Sequence, residues 1–223
     1  LRLKYIRPFD SSYAVGNSAI AVTQVKEEVN RMLDMVAKNI GDAFDTLIKY
    51  NDKSRKKVEE REEYIDYLNK GISEYIVSLM AGEMNADDSR KINGYYAIIS
   101  NLERIGDHAT NIAGYADDMK KWDLKFSDTV LDELEEMKKQ CITCLENVKN
   151  VDSSDTGRVL SQAEVLEQKT DDMRDKYFKK QMQRLKKGKC NPQSGIVFSE
   201  VLTDFERMGD HSLNIAQQYK EMG

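Results

Sequence analysis

The chain has 223 residues, of which 33% are charged, and its formal net charge is −5. Acidic and basic residues are mixed along the whole length, so there is no basic stripe to neutralise a nucleic-acid backbone, and nucleic acid is excluded as a partner. No apolar run approaches the ~18 residues needed to cross a bilayer, and residues 1–10 carry Arg2, Lys4 and Arg7 without the apolar centre of a signal peptide. The expected class is a proline-poor helical bundle in the cytoplasm, because only Pro8 and Pro192 could break a helix by ring chemistry.

Residues 1–17 read as an extended linker. A first helix runs from about Ser18 to Tyr50, where Val25, Val29, Met32, Val36, Ile40, Ala43 and Leu47 recur at steps of three and four. A second, from about Asp52 to Ala81, carries Val58, Ile65, Leu68, Ile72, Ile76 and Leu79, with Gly82 as its stop. The third starts near Asp87, carries Ile92, Tyr95, Ile98, Ile99, Leu102, Ile105 and Ile112, and ends near Trp122. Ser127 or Asp128 caps a fourth helix through Val148, and Val151–Asp155 reads as a loop. The fifth spans about Thr156–Lys187, the segment Gly188–Pro192 breaks the pattern, and the sixth carries Ile196 to the end. Long helices joined by short connections predict an all-α, antiparallel six-helix bundle.

Cys141, Cys144 and Cys190 are too few and too irregular for a disulfide framework. Cys141-x-x-Cys144 has no second Cys/His pair to complete a zinc site, so both thiols are expected on a core face.

The strongest signal is an internal repeat. Asn101-Leu-Glu-Arg-Ile-Gly-Asp-His-Ala-Thr-Asn-Ile-Ala113 returns as Asp204-Phe-Glu-Arg-Met-Gly-Asp-His-Ser-Leu-Asn-Ile-Ala216, at a constant offset of 103. The chain is therefore two copies of a three-helix unit, residues 18–122 and 127–223, each ending on this motif. A weaker echo lies one helix earlier, where Val58–Asp66 aligns with Leu166–Arg174. That alignment sets Glu59 and Glu63 opposite Glu167 and Asp171, and leaves Asp66 without an acidic counterpart because Arg174 falls there.

The motif's chemistry follows from spacing. Glu103, Asp107 and Asn111, like Glu206, Asp210 and Asn214, stand four residues apart along a helix, where neighbouring acids repel. Turned inward, they need protons, a paired cation or a metal. Arg104 and Arg207 sit about 100° around the helix and more naturally serve a neighbouring helix. Carboxylates with an amide oxygen are hard ligands that suit magnesium, calcium, manganese or iron, and a solvated or salt-bridged face is the competing reading. His108 and His211 each follow the motif aspartate and so point away from it, which fits hydrogen bonds between helices rather than ligation. Gly106 and Gly209 sit in mid-helix at a cost of about 1 kcal/mol each against Ala, which implies close approach of another helix.

With Glu-Arg-x-Gly-Asp-His present twice, the chain resembles the PhoU family of phosphate-transport regulators from about Ser18 to Tyr219. The resemblance implies two tandem three-helix PhoU repeats. It also implies multinuclear sites for divalent or ferric ions, iron first among them, on the motif acids Glu103, Asp107, Glu206 and Asp210, with Glu59, Glu63, Glu167 and Asp171 from the preceding helices. Tyr5-Ile6, Ala19-Ile-Ala21 and Glu28-x-x-x-Met32 are similar to the lead-in of PhoU-like domains behind bacterial sodium/phosphate cotransporters, with Asn17-Ser18 where a proline is usual. The expected function is then a non-enzymatic, metal-binding regulatory domain that controls phosphate uptake. On this reading it is the C-terminal domain of such a cotransporter, cut from a longer chain and held at the inner face of the membrane. The alternatives are a free-standing PhoU regulator, a carboxylate-bridged hydrolase, and a helical adaptor without metal. The implied partner is a membrane transporter, in cis or in trans, and a homo-oligomer is left open.

Overall fold

Six helices, α1 (Ser18–Ile48), α2 (Asp52–Met80), α3 (Ala86–Lys121), α4 (Asp128–Glu146), α5 (Thr156–Lys186) and α6 (Pro192–Met222), build the computed structural model. It describes residues 1–6 and 18–223, and no strand occurs among the described residues. The expected linker over residues 1–17 therefore lies mostly outside the described residues. Its first six residues dock on the bundle, where the buried Glu28 carboxylate accepts the backbone N–H groups of Lys4, Tyr5 and Ile6 and takes a 3.2 Å ion pair from Arg31.

Capping fixes most helix starts. Asn51, Asn85, Ser127 and Asn191 each accept a backbone N–H of the first turn, which satisfies one of the donors a helix start leaves free. Pro192, expected in a break, opens α6 instead: at the first helical position its missing N–H costs nothing and its fixed φ is already helical. Gly188, at φ +64, closes the preceding turn in the left-handed region.

The periodic apolar positions form one continuous core, from Val25 and Val29 in α1 to Ile215 and Ala216 in α6. Each fully buried Leu or Ile contributes about 1.5–3 kcal/mol of transfer free energy, which decides the fold over weak local preference. Cys141 and Cys144 lie on the buried face of α4. Within each half the three helices pack on one another, and the halves join through α3 against α6 and α1 against α4. Helices α2 and α5 consequently sit on the flanks, each covering one motif-bearing helix. A bidentate pair, Arg184 to Glu133 at 3.0 Å on both arms, ties α5 to α4.

Candidate metal centres

Each motif helix meets its flanking helix at its glycine. A Cβ on Gly106 of α3 would stand 3.4 Å from Glu62 Oε2 and 3.7 Å from Ile65 of α2. A Cβ on Gly209 of α6 would stand 2.9 Å from Thr170 Cγ2 of α5. At Gly209 the absent side chain lets the two helices close up, whereas at Gly106 an added Cβ would make ordinary contact; in both halves the acids beside the glycine lie next to acids of the neighbour.

In the first half this gathers Glu62 and Asp66 of α2 with Glu103 and Asp107 of α3. Burial, then the charge of Asp66, pushes the Glu62 carboxyl up to about 7, with Asp107 adding to the rise and the nearby Thr110 hydroxyl opposing it. Glu103 is raised by burial and then by Asp107 and Asp66; Asp66 is raised by burial and then by Asp107. The second half gathers Glu167 and Asp171 of α5 with Glu206 and Asp210 of α6. Glu167, Asp171 and Asp210 each bring a carboxylate oxygen within 4.8 Å of the others'. Glu167 is pushed up to about 7 by burial, then by Asp171, Asp210 and Glu206, and Asp210 is raised by burial, then by Asp171 and Glu206.

The structure thus brings together six of the residues singled out from the sequence: Glu103, Asp107, Glu206, Asp210, Glu167 and Asp171. Glu59 and Glu63 are not brought in. Exposure does not separate them, since Asp66 and Asp107 are exposed too; the charge of Glu59 acts on Arg55, and it is Glu62 and Asp66 that interact with Glu103 and Asp107. Glu62 and Asp66 match Glu167 and Asp171 at an offset of 105, two more than the motif offset, so Asp66 has an acidic counterpart after all in Asp171. All four segments share Glu-x-x-x-Asp, and that shared spacing was the signal available in the sequence.

Asn111 and Asn214 leave the acid stripe. Steps of four residues drift about 40° each around a helix, so eight residues beyond Glu103 the side chain faces α6. Asn111 donates to Asp204 Oδ1 at 3.1 Å, and Asn214 donates to Asn101 Oδ1 at 3.3 Å. The histidines make reciprocal contacts across the same seam. His108 Nδ1 lies 2.6 Å from Asp204 Oδ1, His211 Nδ1 lies 3.1 Å from Asn101 Oδ1, and the two rings stack at 5.7 Å. Such reciprocity is what a two-fold relation between repeats requires.

Two observations bear on what the acid groups could hold. Glu62 Oε2 and Asp171 Oδ1, one in each group, are buried without a hydrogen-bond partner. An orphaned buried carboxylate oxygen among like charges is relieved by a cation, and the donor set is all oxygen, as hard di- and trivalent ions require. The donor types in both groups therefore fit a metal, and among the described residues it is the second group that brings three carboxylate oxygens within 4.8 Å of one another.

A two-repeat helical bundle with a Glu-x-x-x-Asp pair on each of four helices defines a duplicated carboxylate-site protein. The PhoU domain matches residues 29–116 and 132–219, one copy in each half, and the chain belongs to the PhoU family. It is 26% identical over 205 residues to the phosphate-specific transport system accessory protein PhoU homolog 1 of Thermotoga maritima, covering 91% of this chain and 88% of that protein. It is 25% identical over 207 residues to the corresponding PhoU homolog of Synechocystis, covering 89% and 87%. The crystal structure of PhoU from Pseudomonas aeruginosa shares the fold, with a TM-score of 0.81 at 20% identity over 90% of this chain and 95% of that one.

Proposed function

We propose that the chain regulates phosphate uptake by contact with a transporter at the cytoplasmic face of the membrane, and that it holds metal ions in its two acid tetrads. The observation that carries the first part is the match to named phosphate-transport accessory proteins along 88% and 87% of their own length. That extent supports an accessory regulator over a domain of a sodium/phosphate cotransporter, since the relatives are matched as PhoU homologues almost end to end. None of the described helices is long and apolar enough to cross a membrane, so the transporter is a partner for these residues rather than part of their fold.

The ions would be held by Glu62, Asp66, Glu103 and Asp107 in one tetrad and by Glu167, Asp171, Glu206 and Asp210 in the other. Bound there, a cation offsets part of the charge of four carboxylates and fastens each flanking helix to its motif helix. The outer surfaces of α2 and α5 then become surfaces whose order depends on metal, which suits a sensor that acts by docking.

The test is deletion of the gene in its own host, with uptake of radiolabelled phosphate measured before and after phosphate is restored. A regulator gives uptake that persists but no longer adjusts to supply. Loss of all uptake, or uptake that adjusts normally, would overturn the reading. Elemental analysis of the purified protein tests the metal separately.

A further inference from the structure

We propose that Arg174 is a tethered cation that makes the second acid tetrad the weaker of the two metal sites, whereas no ion pair reaches the first among the described residues. This rests on the reading of the tetrads as metal sites. The acids of the two tetrads correspond one to one, Glu62 to Glu167, Asp66 to Asp171, Glu103 to Glu206 and Asp107 to Asp210. The motif arginines also correspond: Arg104 lowers Glu103 in one half, and Arg207 lowers Asp210 in the other. Several neighbouring positions differ, and two of them set a side chain beside a tetrad acid.

Three residues beyond Asp171 stands Arg174, and three beyond Asp66 stands Asn69. Arg174 Nε lies 3.5 Å from Glu206 Oε2, so a guanidinium reaches an acid of the second tetrad. The hold is loose. The Nε is buried yet makes no hydrogen bond, while another nitrogen pairs with Asp175 at 3.2 Å and the plane lies 5.3 Å from the Phe178 ring centroid. The arginine is thus positioned by several partners, and it cannot be deprotonated at any working pH. The second difference has the same sense. The Thr110 hydroxyl, which donates to Gly106 O at 3.1 Å, stands near Glu62 in the first half, and Leu213 stands at the corresponding position of the second.

A fixed positive charge beside a cation site opposes every cation that enters, by an amount that grows with the ion's charge and shrinks with solvent screening. The first tetrad has no ion-paired carboxylate among the described residues and has the Thr110 hydroxyl nearby; the second has one carboxylate already engaged by Arg174. The first fills before the second, and the difference is larger for trivalent than for divalent ions.

The test is isothermal titration of the whole, chelator-treated chain with manganous chloride at low salt. Wild type, Arg174→Asn and Asn69→Arg are compared, so that each repeat receives the other's residue. Glu62→Gln and Glu167→Gln assign each binding class to a tetrad, and circular dichroism checks that every variant is folded. The expected result is two classes in wild type, with the second tightening about tenfold in Arg174→Asn and the first weakening about tenfold in Asn69→Arg. Equal classes in wild type, or an Arg174→Asn titration that overlays wild type, would sink the proposal while leaving the metal reading standing. Wild type that takes up no ion would sink both.

Discussion

His108 donates its Nδ1 hydrogen to Asp204, a buried aspartate on the other repeat, across 2.6 Å. The direction follows from the acceptor, because the Asp204 carboxylate also accepts from Asn111 at 3.1 Å and from the Tyr115 hydroxyl at 2.7 Å. In the mirrored position stands Asn101, whose oxygen faces His211 and whose amide nitrogen donates to Ala97 O at 3.0 Å. Carboxylate and amide thus serve the same seam, and the carboxylate stands where a tyrosine hydroxyl supplies the extra donor.

Truncating Asp204 should therefore destabilise the chain more than neutralising it. Asp204→Ala strands three donors at a buried seam and is expected to cost about 2–4 kcal/mol. Asp204→Asn keeps an acceptor for His108 and Asn111, as Asn101 does for His211 and Asn214, and should cost about half as much or less. Urea unfolding followed by circular dichroism measures both; equal losses would show that the hydrogen bonds do not carry the seam.

The two motif glycines should respond differently to the same methyl group. Gly209→Ala drives a Cβ to 2.9 Å from Thr170 on a packed α5, and overpacking of that kind costs about 1–3 kcal/mol. Gly106→Ala meets its nearest atom at 3.4 Å, on the flexible Glu62 side chain, and gains helix propensity of up to about 1 kcal/mol. The thermal midpoint should fall in the first variant and stay within a degree or two in the second.

Exchanging the acids of α2 separates the two registers that the repeat permits. Glu62→Gln with Asp66→Asn should remove about half of the metal found by elemental analysis, since one of two tetrads loses half its ligands. Glu59→Gln with Glu63→Gln should leave the metal content unchanged. The opposite ranking would restore the pairing read from the sequence.

That pairing shows where sequence reasoning stopped. The helices, their apolar faces, the repeat and the motif acids were legible because each is written in local spacing. The partner acids on α2 were not. The alignment that sets Glu59 against Glu167 differs from the structural one by three residues, and three residues turn a helix by about 300°, so both registers present nearly the same face. Only the approach of α2 at Gly106 separates them. Asn111 was misplaced for a related reason, because the drift of an i, i+4 stripe matters only once a second helix, here α6, is there to receive it. Pro192 was read as a break where its chemistry equally allowed a start.

The tetrads should also make the metal-free protein less stable as pH rises. Glu62 and Glu167 are pushed up to about 7, with Glu103, Asp66 and Asp210 raised alongside them. A carboxyl raised in the folded state keeps a proton that the unfolded chain has already released, so its contribution is full below the ordinary carboxylate range and is lost as pH rises through about 7. Discounted for solvent exposure, the loss is roughly 1 kcal/mol, or about 2–4 °C in thermal midpoint. His211 works the other way: burial, then the neighbouring His108, lowers it, so its stabilisation grows as pH rises through the histidine range. The comparison that isolates the acids is wild type against Glu62→Gln with Glu167→Gln, both in chelator, between pH 5.5 and 8. Wild type should lose more stability across that window than the double variant, because glutamine does not titrate. A manganous ion should recover the wild-type loss at pH 8 and do little at pH 5.5, where protons compete for the same oxygens. Parallel pH profiles for the two proteins in chelator would mean that solvent already relieves the tetrads, and that their charge exerts no pull on a cation.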